Sequence, residues 1–282
     1  MPLRRVVIAP STPGVSMSKK SFGQVRALVV GESWIKHTIH MKGFDHFHST
    51  EYEEGAGEFL KAISDGGIDV TYTRGHEVSS KFPTSMDDLQ DYDVVVISDV
   101  GANTFLLTDD TFLRSRPTVN RLSLLAEYVH RGGGMLMVGG YLSFTGIDGR
   151  GRYGMSPLAD VLPVKLLDHD DRIEVPEGAV AELDLPDHDA LGDTPAQWPV
   201  LLGYNRVVAK PDTEVIARYR NDPLLVVGTY GAGRVTAFTS DLASHWAPPE
   251  FLAWDHYQTL WVSLLSWTSG RYGAGRGSAK TA

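Results

Sequence analysis

The sequence predicts an α/β protein built on a doubly wound, mostly parallel sheet with an inserted antiparallel β region. Three observations carry this. Short apolar runs recur, as in VRALVV (Val25–Val30), DVVVIS (Asp93–Ser98) and MLMV (Met135–Val138), with the length and texture of strands covered on both faces. Segments with apolar residues at helical spacing lie between them. Glycine clusters, at Gly66-Gly67 and Gly132-Gly133-Gly134, end each segment. Together these give a βαβ rhythm.

The first strand, Val25–Val30, stops at Gly31, and a polar loop is expected after it. Tyr52–Ser64 places Phe59, Leu60 and Ile63 on one helical face, making it the first crossover helix. Ile68–Thr73 alternates like a strand, Met86–Leu89 reads as one helical turn, and Asp93–Ser98 is the next buried strand. Val119–Arg131 gathers Leu122, Leu125, Ala126 and Val129 on one face before the strand at Met135–Val138, giving four parallel strands. From about 157 to 223 prolines and acidic residues become frequent and apolar runs shorten. This predicts an antiparallel insertion, with a strand at Val215–Tyr219. Leu224–Thr229 and Arg234–Thr239 form a hairpin across Tyr230-Gly231-Ala232-Gly233. Phe251–Trp267 closes the fold as one amphipathic helix, with Leu252, Tyr257, Leu260, Trp261, Leu264, Leu265 and Trp267 largely toward the sheet. Residues 1–24 read as a flexible leader, 25–269 as the folded domain and 270–282 as a flexible tail.

Composition narrows the function classes. The chain has 282 residues, with 26 basic against 35 acidic side chains and a formal charge of −9, so no basic stripe invites nucleic acid. Neither a signal peptide nor a membrane-spanning run is apparent, which points to a cytoplasmic protein. There is no cysteine. That removes disulfides, thiolate metal sites and thiol nucleophiles together.

In an open parallel sheet, ligands lie beyond the carboxyl ends of the strands. Four post-strand loops therefore hold the candidates: Glu32 and Ser33; Asp99 and Asn103; Tyr141 and Ser143; and Asp241, His245 and Trp246, with Glu250 just beyond. His245 reads as a general acid or base whose tautomer Asp241 or Glu250 sets, or as a loop cap stacked on Trp246. Asp99 and Glu32 read as catalytic carboxylates or as turn-forming groups. In the Trp34–Ser49 segment, WIKHTIHMKGFDHFHS, Lys42 and Asp45 flank Gly43-Phe44. They can bind hydroxyls or a carboxylate at the mouth with Phe44 packed below, or form a surface ion pair. His37, His40, His46 and His48 admit a metal, but H-x-x-H and H-x-H match no fixed ligand template, and polar surface is the other reading. His40 also counts among the ligand-binding candidates. No cofactor is expected.

The strings GESW, HMKGFDHF, SDVGANT, GGYLSF and SHWAPPEF resemble a branch of class I glutamine amidotransferase-like proteins related to the ThuA-like group. The resemblance covers most of Val25–Trp267 and implies a flavodoxin-like fold. In those enzymes a G-x-C-x-G elbow carries the nucleophile; here Tyr141 occupies the cysteine place and Ser143 that of the second glycine. Asp241 and His245 fall in the segment that supplies the family's catalytic histidine, usually as H-x-E, whereas Glu250 follows five residues on. Without a thiolate there is no thioester route, so cysteine-dependent glutaminase activity is excluded. A phenol, ordinarily titrating near ~10, is no substitute. Ser143 is the remaining hydroxyl at the elbow. Two expectations follow: acid–base chemistry on a small carbohydrate-like or carboxylated metabolite, or a non-catalytic ligand-binding or scaffold protein. Self-association is expected in either case.

Overall fold

Along the first strand, β1 (Arg26–Gly31), alternate side chains enter two separate cores: Ala27 and Val29 on one side, Leu28 and Val30 on the other. Both faces of the sheet are covered, which is why its strands read as unbroken apolar runs. The computed structural model describes residues 24–271. All but residue 24 of the leader and all but residues 270 and 271 of the tail read from the sequence lie outside them.

The strands in chain order are β1, β2 (Ser33–Lys42), β3 (Asp45–Glu54), β4 (Asp69–Thr73), β5 (Val94–Ser98), β6 (Gly134–Val138), β7 (Val164–Leu166), β8 (Arg172–Ala179), β9 (Glu182–Leu183), β10 (Leu201–Asn205), β11 (Val207–Ala209), β12 (Glu214–Tyr219), β13 (Asp222–Tyr230) and β14 (Gly233–Phe238). Eight of them form the central sheet, in the order β4-β1-β5-β6-β14-β13-β12-β9. The first five are parallel, and β13, β12 and β9 continue the sheet antiparallel. Counted among themselves, the parallel strands follow the order 2-1-3-4-5 of flavodoxin-like folds. The chain runs outward from β1 to β4 and then returns to β5, so strand order reverses between β1 and β5. The helices Gly57–Asp65 and Tyr257–Thr268 pack on one face, and Arg121–His130 on the other. Asn120 starts the last of these by accepting the backbone N–H groups of Leu122 and Ser123 on its Oδ1, at 3.1 and 3.0 Å.

Three sequence expectations are corrected. The segment after β1 is a hairpin, β2 paired with β3 in unbroken register from Ser33↔Glu54 to Lys42↔Asp45. Its period-two pattern, Ile35, His37, Ile39, Met41, is a strand signal that the histidines disguise as loop polarity. Gly43, at φ 66°, makes its two-residue turn, and Phe44 is fully exposed at the tip instead of packing beneath it. In consequence the crossover helix begins at Gly57, and Tyr52 belongs to β3. The expected closing helix is two, Pro249–Leu252 and Tyr257–Thr268. Phe251 and Tyr257 meet edge to face, with centroids 5.6 Å apart, in one core. An unbroken helix would turn residues six apart to different faces, so the break lets both rings point inward.

Candidate functional site

The reversal between β1 and β5 sets where a ligand can sit, because the loops leaving those two strands diverge to opposite faces of the sheet and open a crevice. Glu32 follows β1 and Asp99 follows β5. Both take a left-handed backbone conformation, φ 50° and 42°, which is costly for residues with a Cβ. The Glu32 N–H donates to the Ser98 carbonyl at 2.9 Å, and the Ser98 hydroxyl donates to Glu32 Oε2 at 2.5 Å. Asp99 Oδ1 accepts the Leu142 N–H at 2.7 Å, while the Asp99 N–H donates to Ser143 Oγ at 3.1 Å. From the end of β14, Asp241 reaches the same place and accepts the Ala243 N–H at 3.0 Å on Oδ1.

Glu32 and Asp241 are buried, Asp99 is part-buried, and the three sense one another. Burial first, then the charges of Asp241 and Asp99, push Glu32 well above the usual carboxylate range against the opposing Ser98 hydrogen bond. Asp241 is likewise pushed well up, by burial and then by Asp99. Asp99 is also raised by burial, but the Leu142 N–H and the His245 side chain pull it back. Environment therefore sorts the cluster, with Glu32 and Asp241 favouring the protonated state and Asp99 the most readily ionised. Glu32 Oε1 is buried without a hydrogen-bond partner. Gly55 leaves it room: a Cβ there would stand 2.8 Å from that oxygen and 3.1 Å from Ala243 Cβ. At Gly140, φ 148°, a Cβ would lie 2.9 Å from Asp99 Oδ1.

Aromatic rings cover the cluster. The Tyr141 and His245 rings stack with centroids 5.2 Å apart and planes 20° from parallel, and Trp34 leans on His245 at 5.6 Å. His245 Nδ1 is 4.0 Å from Asp241 Oδ2, beyond hydrogen-bond distance. Trp246 is buried behind Tyr141. Beside this cover runs a groove of about 450 Å³, bordered by Ser33, Trp34 and Ile35 on the hairpin side and by Asn103, Thr104 and Leu107 on the other.

The remaining sequence candidates are dispersed. Ser143 is fully buried, with its hydroxyl engaged by the Asp99 N–H. Glu250 is exposed in the helix Pro249–Leu252. His40, Lys42 and Asp45, expected at the mouth, sit along the hairpin toward its tip. Nine residues of strand, at roughly 3.3 Å each, carry Lys42 about 30 Å along the hairpin from Ser33. His40 bonds Ser49 Oγ and stacks on Phe47, while His37 bonds Thr50 Oγ1. Register puts His37, His46 and His48 on one face of the hairpin and His40 on the other. Among the described residues no three His, Asp or Glu side chains are placed to hold a metal ion.

Sequence reasoning missed the inserted region's contribution. Glu174 on β8 accepts the Tyr141 hydroxyl on Oε1 at 3.2 Å and the Trp246 indole N–H on Oε2 at 2.9 Å, and the Arg172 guanidinium lies 4.6 Å from the centre of the Tyr141 ring. Asn205 on β10 clamps the Gly140 peptide from both sides, accepting its N–H at 2.9 Å and donating to its carbonyl at 3.2 Å. It also donates to Asp171 Oδ1 at 2.8 Å. The alternation Arg172-Ile173-Glu174 was the one local signal, since it puts the two charged side chains on the same strand face. Glu53, which accepts the Trp34 indole N–H on Oε2 at 3.0 Å, was hidden in the start of the expected crossover helix Tyr52–Ser64.

A flavodoxin-like sheet with its polar cluster at the switch point, and a tyrosine at the elbow after β6, defines an amidotransferase-type α/β domain. The chain belongs to the family described as "Putative glutamine amidotransferase" (GATase1_like), whose model matches residues 26–270. It is 47% identical to two proteins of known structure, cytoplasmic protein STM3548 from Salmonella typhimurium and cytoplasmic protein STM1381 from Salmonella typhimurium LT2. Each match has a TM-score of 0.84 and covers 86% of this chain, with 98% and 99% of those chains respectively. A ThuA-like protein from Parabacteroides merdae ATCC 43184 shares the fold at 14% identity and a TM-score of 0.53, over 89% of this chain and 92% of that one. No curated protein matches.

Proposed function

We propose that this protein performs acid–base chemistry on a small carbohydrate-like or carboxylated metabolite held at the β1/β5 switch point. It does so without the sulfur-dependent glutaminase reaction of the wider family, for which the chain has no thiol. The observation that carries the reading is the trio of buried Glu32, buried Asp241 and part-buried Asp99, with one Glu32 oxygen unpartnered. A site that pushes one carboxyl up by burial and holds its neighbour back with a backbone N–H and an imidazole sets a proton donor beside an acceptor. Glu32 is the donor, Asp99 the acceptor, and Asp241 supports the charge balance between them. His245, 44% exposed, is the group that both solvent and an entering ligand can reach, and it relays protons between the cluster and the outside. The half-buried Tyr141 and Trp34 offer flat apolar faces to a sugar-like ring, and the groove beside them is the entry path. The two 47%-identical proteins are described as cytoplasmic, and we place this chain there too.

A second reading, ligand binding without turnover, is favoured by the Tyr141–His245 stack, which covers the cluster. One experiment separates the two. Purified protein is screened against sugars, sugar acids and small carboxylates by thermal shift, and each stabilising compound is recovered and analysed. A compound converted by the wild type but returned intact by Glu32→Gln supports the acid–base reading. A stabilising compound that the wild type always returns intact supports binding alone.

A further inference from the structure

The hairpin β2–β3 is a long structured arm whose outer part the other described residues leave uncovered. Its ten-pair register is regular, yet Ile39 is 60% exposed, Met41 77% and Phe47 50%. An isolated two-stranded hairpin is marginal in water and ordinarily needs a packing surface. The two faces of this arm differ: Ile35, Ile39, Met41 and Tyr52 share one face with His37, His46 and His48, while Lys36, Lys42, Glu51 and Glu53 share the other. Aside from Glu54 at its base, which is paired with Arg74, the first face bears no Lys, Arg, Asp or Glu. That is the pattern of a half-buried strand pair, without the cover that the pattern implies.

We propose that a second copy of this chain provides the cover: two molecules exchange hairpins about a twofold axis, each laying its Ile35–Ile39–Met41 face against the same face of the other, and each tip reaches the other molecule's Phe112–Asn120 segment. Charge favours a second copy. A face with no Lys, Arg, Asp or Glu beyond its base can meet itself with no clash between fixed like charges, as an isologous interface requires. Area points the same way. An arm of two ten-residue strands offers a face of roughly 330 Å², at about 3.3 Å per residue and some 10 Å of width, so two stacked arms hide about 650 Å². A stable interface needs about 1,200 Å² or more. Each molecule also exposes every residue of Phe112–Asn120, with Phe112 at 70% and Leu113 at 68%, and twofold symmetry counts that contact twice. Leu107 and Ile35 border the same groove, so apolar surface continues from the arm's base toward that segment. Because Trp34 and Glu53 stand at the arm's base, pairing would also hold the wall of the candidate site in place.

The test is sedimentation of the full chain across the micromolar range, and it is independent of whether the protein turns anything over. The wild type should sediment as a dimer or a multiple of one. The double variant Ile39→Asp/Met41→Asp should become monomeric with an unchanged far-UV circular dichroism spectrum. A monomeric wild type, or a folded double variant that sediments as the wild type does, overturns the proposal. Cross-linking in this cysteine-free chain gives a reading that survives a misfolded double variant. Ile39→Cys should form a covalent dimer under mild oxidation and Lys36→Cys, on the opposite face, should not; equal cross-linking by both, or none by Ile39→Cys, contradicts the exchange.

Discussion

Glu32 and Asp99 leave adjacent parallel strands through the same left-handed conformation, φ 50° and 42°, one residue beyond the paired Gly31 and Ser98. Each such residue costs on the order of 1–2 kcal/mol, tolerated only where the surroundings hold it. Ser98 does so for Glu32 through two hydrogen bonds; Ser143 and Leu142 do so for Asp99. The strain turns two carboxyl groups into the protein at the point where strand order reverses.

The first prediction concerns pH. Glu32 binds its proton more tightly in the folded than in the unfolded chain, so its stabilising contribution is complete below the ordinary glutamate value of 4.5 and is lost as pH rises through the raised folded value. Asp241 acts with the same sign from 3.8 upward. Thermal unfolding of the wild type should therefore shift to lower temperature as pH rises from mildly acidic to alkaline. Glu32→Gln should unfold at a higher temperature than the wild type under alkaline conditions and show a shallower dependence, as calorimetry across pH will read.

His245→Ala should leave the fold intact, because the ring sits at the surface between Tyr141 and Trp34 and holds no buried hydrogen bond to Asp241. Turnover of a substrate found by screening should fall by about 100-fold or more, the scale for losing a proton-transfer group. Unchanged turnover would remove this histidine from the mechanism.

Restoring sulfur at the elbow should not restore glutaminase activity. Tyr141 has none of the positive φ that the strained turn of a nucleophile elbow demands; those conformations fall at Gly140, Phe144 and Asp99. Tyr141→Cys should release no ammonia from glutamine above the wild-type background in a coupled assay. It should also lose the Glu174 hydrogen bond and the stack on His245, which will appear as a lowered unfolding temperature.

Gly55→Ala is a test from the far side of the cluster. The added methyl meets Glu32 Oε1 at 2.8 Å and Trp34 at 3.1 Å, so either the carboxyl or the indole must move. Overpacking of this kind costs about 1–3 kcal/mol. Chemical denaturation should show that loss, and any ligand that stabilises the wild type should bind more weakly.

Local signals made the core legible before the structure was known. Val94–Ser98 and Met86–Leu89 need only a buried apolar run or a single capped turn, and the rule that post-strand loops converge leads directly to Glu32, Asp99 and Asp241. What was illegible is non-local. Four histidines masked the alternation of Ile35, Ile39 and Met41, so a strand pair read as a polar loop, and Lys42 and Asp45 were drawn to a mouth they do not reach. Glu174, Arg172 and Asn205 join the site only because β8 and β10 fold back over the elbow, a placement that no short window of sequence encodes. The break before Tyr257 answers to the packing of Phe251 and Tyr257 into one core, not to a glycine or proline at the break.

The central claim is that the switch-point cluster keeps a proton on a buried carboxyl group at neutral pH. Difference infrared spectroscopy of the wild type against Glu32→Gln reads this directly. The account predicts a protonated-carboxyl C=O stretch in the wild type at neutral pH that is missing in Glu32→Gln; a wild type with no such band would contradict it.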